Sequence, residues 1–188
     1  MDLPPLIFIL TGLYVGWSIG ANDVANAIGP PVGSGLISYK KAVMLFAVFA
    51  VVGGAVGGHD VMRTVGTDMA SKIPDVPLLI AMMVPAILVT LTSRLGIPVS
   101  ASQSIVSGLT GAAIASNVAI DWSLGKKILL TWVALPVAAV ILAPTLYSLL
   151  KIPMRRVKNL YRSERILGIL LLAGSCYISF TIGANNAG

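Results

Sequence analysis

Six stretches of this sequence carry no charged residue at all, and each is long enough to cross a bilayer core, which takes about 20 apolar residues. They are Leu3–Asn22, Ala42–Gly58, Val76–Ser93, Leu95–Ile120, Ile128–Leu150 and Ile166–Gly188. Charged residues make up only 11% of the 188, against about a quarter in soluble domains. That shortage excludes a disordered chain, a nucleic-acid-binding tail and an ordinary cytosolic enzyme. The expected fold is an all-α polytopic membrane protein with about six crossings. The start, Met1-Asp2-Leu3-Pro4-Pro5, lacks the basic region of a cleavable signal, so the first stretch is read as structure. The single cysteine, Cys176, lies in an apolar run and reads as a small core residue.

Two segments depart from plain spans. The uncharged link Val24–Tyr39 contains Pro30, Pro31, Gly33 and Gly35, which reads as a loop or broken helix. The fourth run opens with the polar sequence Leu95-Gly96-Ile97-Pro98-Val99-Ser100-Ala101-Ser102-Gln103-Ser104. Backbone can leave helical geometry at membrane depth only where protein or a water-filled cavity covers it. A broken or re-entrant Ser-rich segment is therefore expected there.

The net charge of +6 has to be read loop by loop. Lys151, Arg155, Arg156, Lys158, Arg162 and Arg165 crowd one short connection, which the positive-inside rule places in the cytoplasm. Six crossings then put Lys40, Lys41 and Arg94 on the same side and leave only Arg63, Lys72, Lys126 and Lys127 opposite. The expectation is a multi-pass protein of the cell membrane with its N-terminus outside and residues 151–165 as a cytoplasmic loop.

The segment from Tyr14 to Asn22 reads YVGWSIGAN and that from Tyr177 to Asn185 reads YISFTIGAN, 163 positions later. Five crossings separate the two copies, so they would run in opposite directions. That is the pattern of inverted-repeat transporters, whose sites lie at midplane where the repeats meet. The corresponding division is a first transmembrane repeat over 1–150, the basic loop over 151–165, and the first helix of a second, truncated repeat over 166–188.

Asp23 is the one acid flanked by long apolar stretches on both sides. An ionised carboxylate at depth costs about 2.5–3.5 kcal/mol on insertion scales, so it reads as functional unless it marks the interface at the end of span one. On a helix, Asn22, Asp23 and Asn26 share a face. One carboxylate and amide oxygens suit a hard cation such as sodium, or a protonatable site. In the Ser-rich segment, Ser100, Ser102 and Ser104 offer hydroxyls and Gln103 an amide. Pro98 disfavours helix before it, so a helix is expected to start with Ser100 as N-cap, and its free N–H groups suit an anion. The alternative for that segment is a Ser-rich packing interface.

The run Gly20-Ala21-Asn22-Asp23-Val24-Ala25-Asn26-Ala27 resembles the signature of the inorganic phosphate transporter (PiT) family. Gly183-Ala184-Asn185-Asn186-Ala187-Gly188 looks like its second copy, and Ile97–Gln103 is similar to the family's Ser/Thr-rich re-entrant motif. The resemblance implies cation-coupled symport of phosphate, or in some members sulfate. It assigns the coupling ion, Na+ or H+, to Asn22, Asp23, Asn26, Asn185 and Asn186, with sodium at Asp23, Asn26 and Asn186. It assigns the anion to Ser100, Ser102, Gln103 and Ser104 with Asn22 and Asn185, and implies no other cofactor. Asn186 stands where the first copy has Asp23, which leaves sodium and proton coupling both open. The implied partners are the lipid bilayer, a second repeat from the same or another chain, and in one arrangement a second copy as a homodimer; nucleic acid is not among them. A non-transporting assembly half is a further alternative. An intramembrane hydrolase would have to draw on His59, the sole histidine, with Ser100, Ser102 or Ser107.

Overall fold

The computed structural model describes residues 4–64, 73–120, 122–157 and 159–186. Of the residues weighed above, Met1, Asp2, Leu3, Lys72, Lys158, Ala187 and Gly188 lie outside these. The described residues form seven helices: α1 (Pro5–Gly33), α2 (Tyr39–Gly57), α3 (His59–Met62), α4 (Asp75–Arg94), α5 (Ala101–Ala115), α6 (Trp122–Arg156) and α7 (Leu160–Asn185). Five of them, all but α3 and α5, are long and apolar enough to cross a membrane. The protein is an all-helical polytopic membrane protein.

The first helix differs from the sequence expectation in one respect. It does not break in the Val24–Tyr39 link but continues through Pro30 and Pro31 to Gly33. The two prolines withhold only the N–H groups that would bond the carbonyls of Asn26 and Ala27. Breaking the helix at residue 24 would orphan far more backbone in a medium with no water to satisfy it. The fourth apolar run does break as expected. Residues 95–100 are non-helical, Gly96 takes the left-handed conformation (φ 71°), and α5 begins at Ala101 with Ser100 as its N-cap. At 15 residues α5 rises about 22 Å, short of the roughly 30 Å hydrocarbon core.

Residues 1–119 and 171–188 form one compact unit. Within it, α4 and α5 make an antiparallel hairpin: Ala101 packs with Val89 near the turn, and Gly108 meets Ala81 and Pro85 further along. Pro85 has no N–H to give the Ala81 carbonyl, and Gly108 has no side chain to hold it off, so the two backbones close on each other there. The α1 helix lies along α4, with Ile19 against Val89 and Ala101. On its other side Ala27 and Ile28 pack with Ala42 and Phe46 of α2, and Ile182 of α7 joins them. Helices α2 and α7 approach closely through small residues; a Cβ at Gly53 would strike the Phe180 backbone, and one at Gly183 the Ala50 backbone.

Residues 120–170 form the second unit. It holds α6 and the start of α7, and many apolar side chains of α6, Leu130, Val133 and Val140 among them, are exposed. The basic stretch 151–165 is mostly helical, since α6 runs through Arg156 and α7 starts at Leu160.

Candidate functional site

Asp23 sits in the body of a helix, ten residues before its end, about 15 Å along the axis from Gly33. Its Oδ1 accepts a hydrogen bond from Nδ2 of Asn22 at 2.8 Å, and its Oδ2 accepts one from Nδ2 of Asn186 at 3.1 Å. No lysine, arginine or histidine pairs with it among the described residues. The carboxylate is therefore held by amide donors alone, with acceptor capacity left over.

Asn22 is buried and its amide is fully used. Nδ2 donates to Asp23 and to the Val99 carbonyl at 2.9 Å, while Oδ1 accepts from the Ser93 hydroxyl at 3.2 Å and the Val99 N–H at 3.4 Å. Both bonds to Val99 fall on the non-helical turn between α4 and α5. The side chain thus ties the Ser-rich turn to the middle of α1.

Asn186, one position past the end of α7, reaches Ser102 as well as Asp23: the Ser102 hydroxyl donates to its Oδ1 at 3.4 Å. A chain of hydrogen bonds thus runs from Val99 through Asn22, Asp23 and Asn186 to Ser102. The separation of Asp23 and Asn186 is 163 residues, equal to the offset of the repeat. The two positions that the repeat equates are in direct contact.

The other candidates stand apart from this chain. Asn26 and Asn185 are exposed, and neither side chain joins the hydrogen bonds that link Asn22, Asp23 and Asn186. Asn26 shares a sequence spacing with Asn22 but not its environment. Ser100 acts as the cap of α5, its Oγ accepting from the Gln103 N–H at 3.3 Å, and Ser104 donates back to the Ser100 carbonyl at 2.9 Å. The Gln103 side chain is exposed. The N–H groups of Ala101 and Ser102, ahead of the first helical bond, are the donors that a helix start leaves free. His59, exposed at the start of α3, faces Asp60 at 3.6 Å, and no serine hydroxyl bonds to it among the described residues.

Sequence reading missed Ser93 and the relay next to the site. Ser18 and Thr90 each donate to the Ala86 carbonyl at 2.8 Å, and the Tyr14 hydroxyl meets Thr90 at 3.1 Å. Hydroxyl residues inside apolar runs were the only signal, and they look the same whether they bond within a helix or across two.

The sequence pattern of the phosphate transporter family matches residues 19–172, which takes in α2, α4, α5, α6 and the asparagine–aspartate cluster of α1. The chain belongs to the phosphate transporter family. It is similar to proteins bearing the name "Putative phosphate permease" in several organisms. The Chlamydia muridarum protein is 29% identical over 187 residues, covering 93% of this chain and 43% of its own length. The Thermococcus kodakarensis protein is 30% identical over 88% of this chain and 43% of its own length. The Helicobacter pylori protein is 34% identical over 78% of this chain and 29% of its own length. This phosphate transporter family chain thus spans less than half the length of the relatives it matches. No solved structure matches it. The relatives' names describe transporters, not enzymes.

Proposed function

We propose that the chain forms one half of a secondary active transporter that carries inorganic phosphate together with a cation, sodium or a proton, by alternating access. The observation that carries this reading is the contact of Asp23 with Asn186 across the repeat offset, linked on to Ser102 at the start of α5. It brings a carboxylate for a cation next to a helix N-terminus for an anion, between two segments of like sequence. Asp23 takes the cation with amide oxygens; the N–H groups of Ala101 and Ser102, with the Ser102 hydroxyl and the Gln103 amide, cradle the anion. Asn22 positions the cradle. A second repeat, from the same or another chain, supplies the mirror half at midplane. With the short α5 completing a crossing that the five longer helices do not supply, the positive-inside rule puts the basic residues 151–165 in the cytoplasm and the N-terminus outside.

Phosphate is favoured over sulfate because hydrogen phosphate keeps a proton that it can donate to the Asp23 carboxylate, and sulfate has none. The test is uptake by the full-length protein in liposomes. The Asp23→Asn variant should insert and fold, since it removes a charge from membrane depth, yet lose the stimulation of phosphate uptake by a sodium or proton gradient. Wild-type cation dependence in that variant removes Asp23 from the coupling site. A sodium-independent preference for sulfate overturns the substrate.

A further inference from the structure

We infer that the Asn186 carboxamide is the switch that couples the two ligands, an inference that rests on the symport reading above. An ionised carboxylate can only accept hydrogen bonds, so the NH2 end of Asn186 must face Asp23 and its carbonyl end must face the Ser102 hydroxyl. That polarity suits the ligand-free site and neither ligand. A cation bound to Asp23 Oδ2 requires an oxygen beside it, where the Asn186 NH2 now points. An anion at the start of α5 requires donors, where the Asn186 carbonyl now takes the Ser102 proton. Each ligand alone conflicts with one end of the same amide. A half-turn of the carboxamide resolves both conflicts together: the carbonyl turns to the cation, the NH2 turns to the anion, and the Ser102 hydroxyl is released to donate to the anion.

Whichever ligand arrives first turns the amide into the orientation the other needs, and the coupling is reciprocal. An aspartate at 186 could serve the cation but could not donate to the anion, so the departure of the second signature from the first has a chemical consequence. Asn22, by comparison, cannot act this way. Its four hydrogen bonds hold both ends of the amide in place.

The decisive measurement is calorimetric binding of inorganic phosphate to the purified full-length protein, with and without saturating sodium, and at two pH values in its absence. The wild type should bind phosphate more tightly with the coupling cation, by about the 5- to 150-fold typical of linked sites. In Asn186→Leu and Asn186→Ala, phosphate should still bind, with an affinity that no longer responds to the cation. The ratio of affinities does not depend on how much of each preparation is active, so a merely weakened fold would not change it. A wild-type ratio in either variant overturns the switch while leaving the symport reading intact. Loss of phosphate binding in both variants, with and without cation, also overturns it by making Asn186 a plain anion ligand. A wild type whose phosphate affinity ignores both sodium and pH overturns the symport reading itself.

Discussion

Asn22 satisfies both donors and both acceptor positions of its amide in a place that is only 6% exposed. Replacing it with alanine leaves the Val99 N–H and carbonyl, the Ser93 hydroxyl and one Asp23 oxygen each short of a partner. Unsatisfied buried groups cost about 1–3 kcal/mol, and hydrogen bonds inside membrane proteins average nearer 0.6 kcal/mol each. Asn22→Ala should therefore destabilise the protein by about 1–3 kcal/mol, read as a lower unfolding midpoint in detergent. Asn22→Asp should be worse, because a carboxylate cannot donate to Val99 and sits beside a like charge. Unchanged midpoints in both would mean the turn is held by something other than Asn22. That Asn22 and Asp23 are candidate site residues is legible in the sequence, since amides and a carboxylate at depth are expensive and rare. The division of labour between them is not. Spacing places Asn22 and Asn26 on one face, but only the packing of α4 and the Ser-rich turn against α1 shows which amide is enclosed.

At the scale of elements, charge-free runs locate the membrane helices well but mark where hydrocarbon compatibility ends, not where helices end. Lysine and arginine are good helix formers whose stems lie along apolar surface, so α6 continues past the charge-free run through Arg155 and Arg156. The Ser100 cap is legible because Pro98 and a serine before a helical run have one local reading. The hairpin that presents this cap depends on a feature with no local signature, the meeting of Gly108 with the Ala81 carbonyl and Pro85. A Cβ at Gly108 would lie 2.6 Å from that oxygen and 2.9 Å from Pro85 Cγ. Gly108→Ala gains about 1 kcal/mol of helix propensity but must push α5 away from α4, and overpacking of this kind costs about 1–3 kcal/mol. The second effect should win, because one of the clashing atoms is backbone. Lower thermal stability and a raised KM for phosphate are expected together, since the start of α5 moves with the helix. A Gly108→Ala protein more stable than wild type would show that the hairpin gives way freely.

At the scale of the molecule, the repeat makes a demand on faces as well as on residues. On α1, Ser18 and Asn22 are buried against α4 and its turn, while Gly12, Gly16 and Gly20 have nothing within 4 Å of where a Cβ would stand, and Trp17 beside them is 58% exposed. The positions 163 residues on show the reverse. Ser175 and Ser179 are buried, and Phe180, Gly183 and Ala184 press on α2, while Asn185, the counterpart of Asn22, is exposed. Each copy covers the face that the other leaves open. The proposed inverted repeat, in which α5 completes a crossing, would account for this: α7 docks on α2, so α1 should dock on the equivalent of α2 in a second repeat, and Asn185 should tie down a second Ser-rich turn. Leucine substitutions on the two faces separate this arrangement from one in which the open face of α1 meets lipid. Gly183→Leu must disrupt the α2 contact whichever holds. If α1 is docked, Gly16→Leu and Gly20→Leu should lower the unfolding temperature of the full-length protein by a similar amount, the equivalent of about 1–3 kcal/mol of overpacking each. If α1 faces lipid, the same two changes replace helix-interior glycines with a good helix former and should be neutral or stabilising by up to about 1 kcal/mol. That second outcome, with Gly183→Leu still damaging, would break the equivalence of the two faces. Alternating access would then lose its geometric basis, because opening one way is the mirror of opening the other only when each face finds the partner its counterpart has.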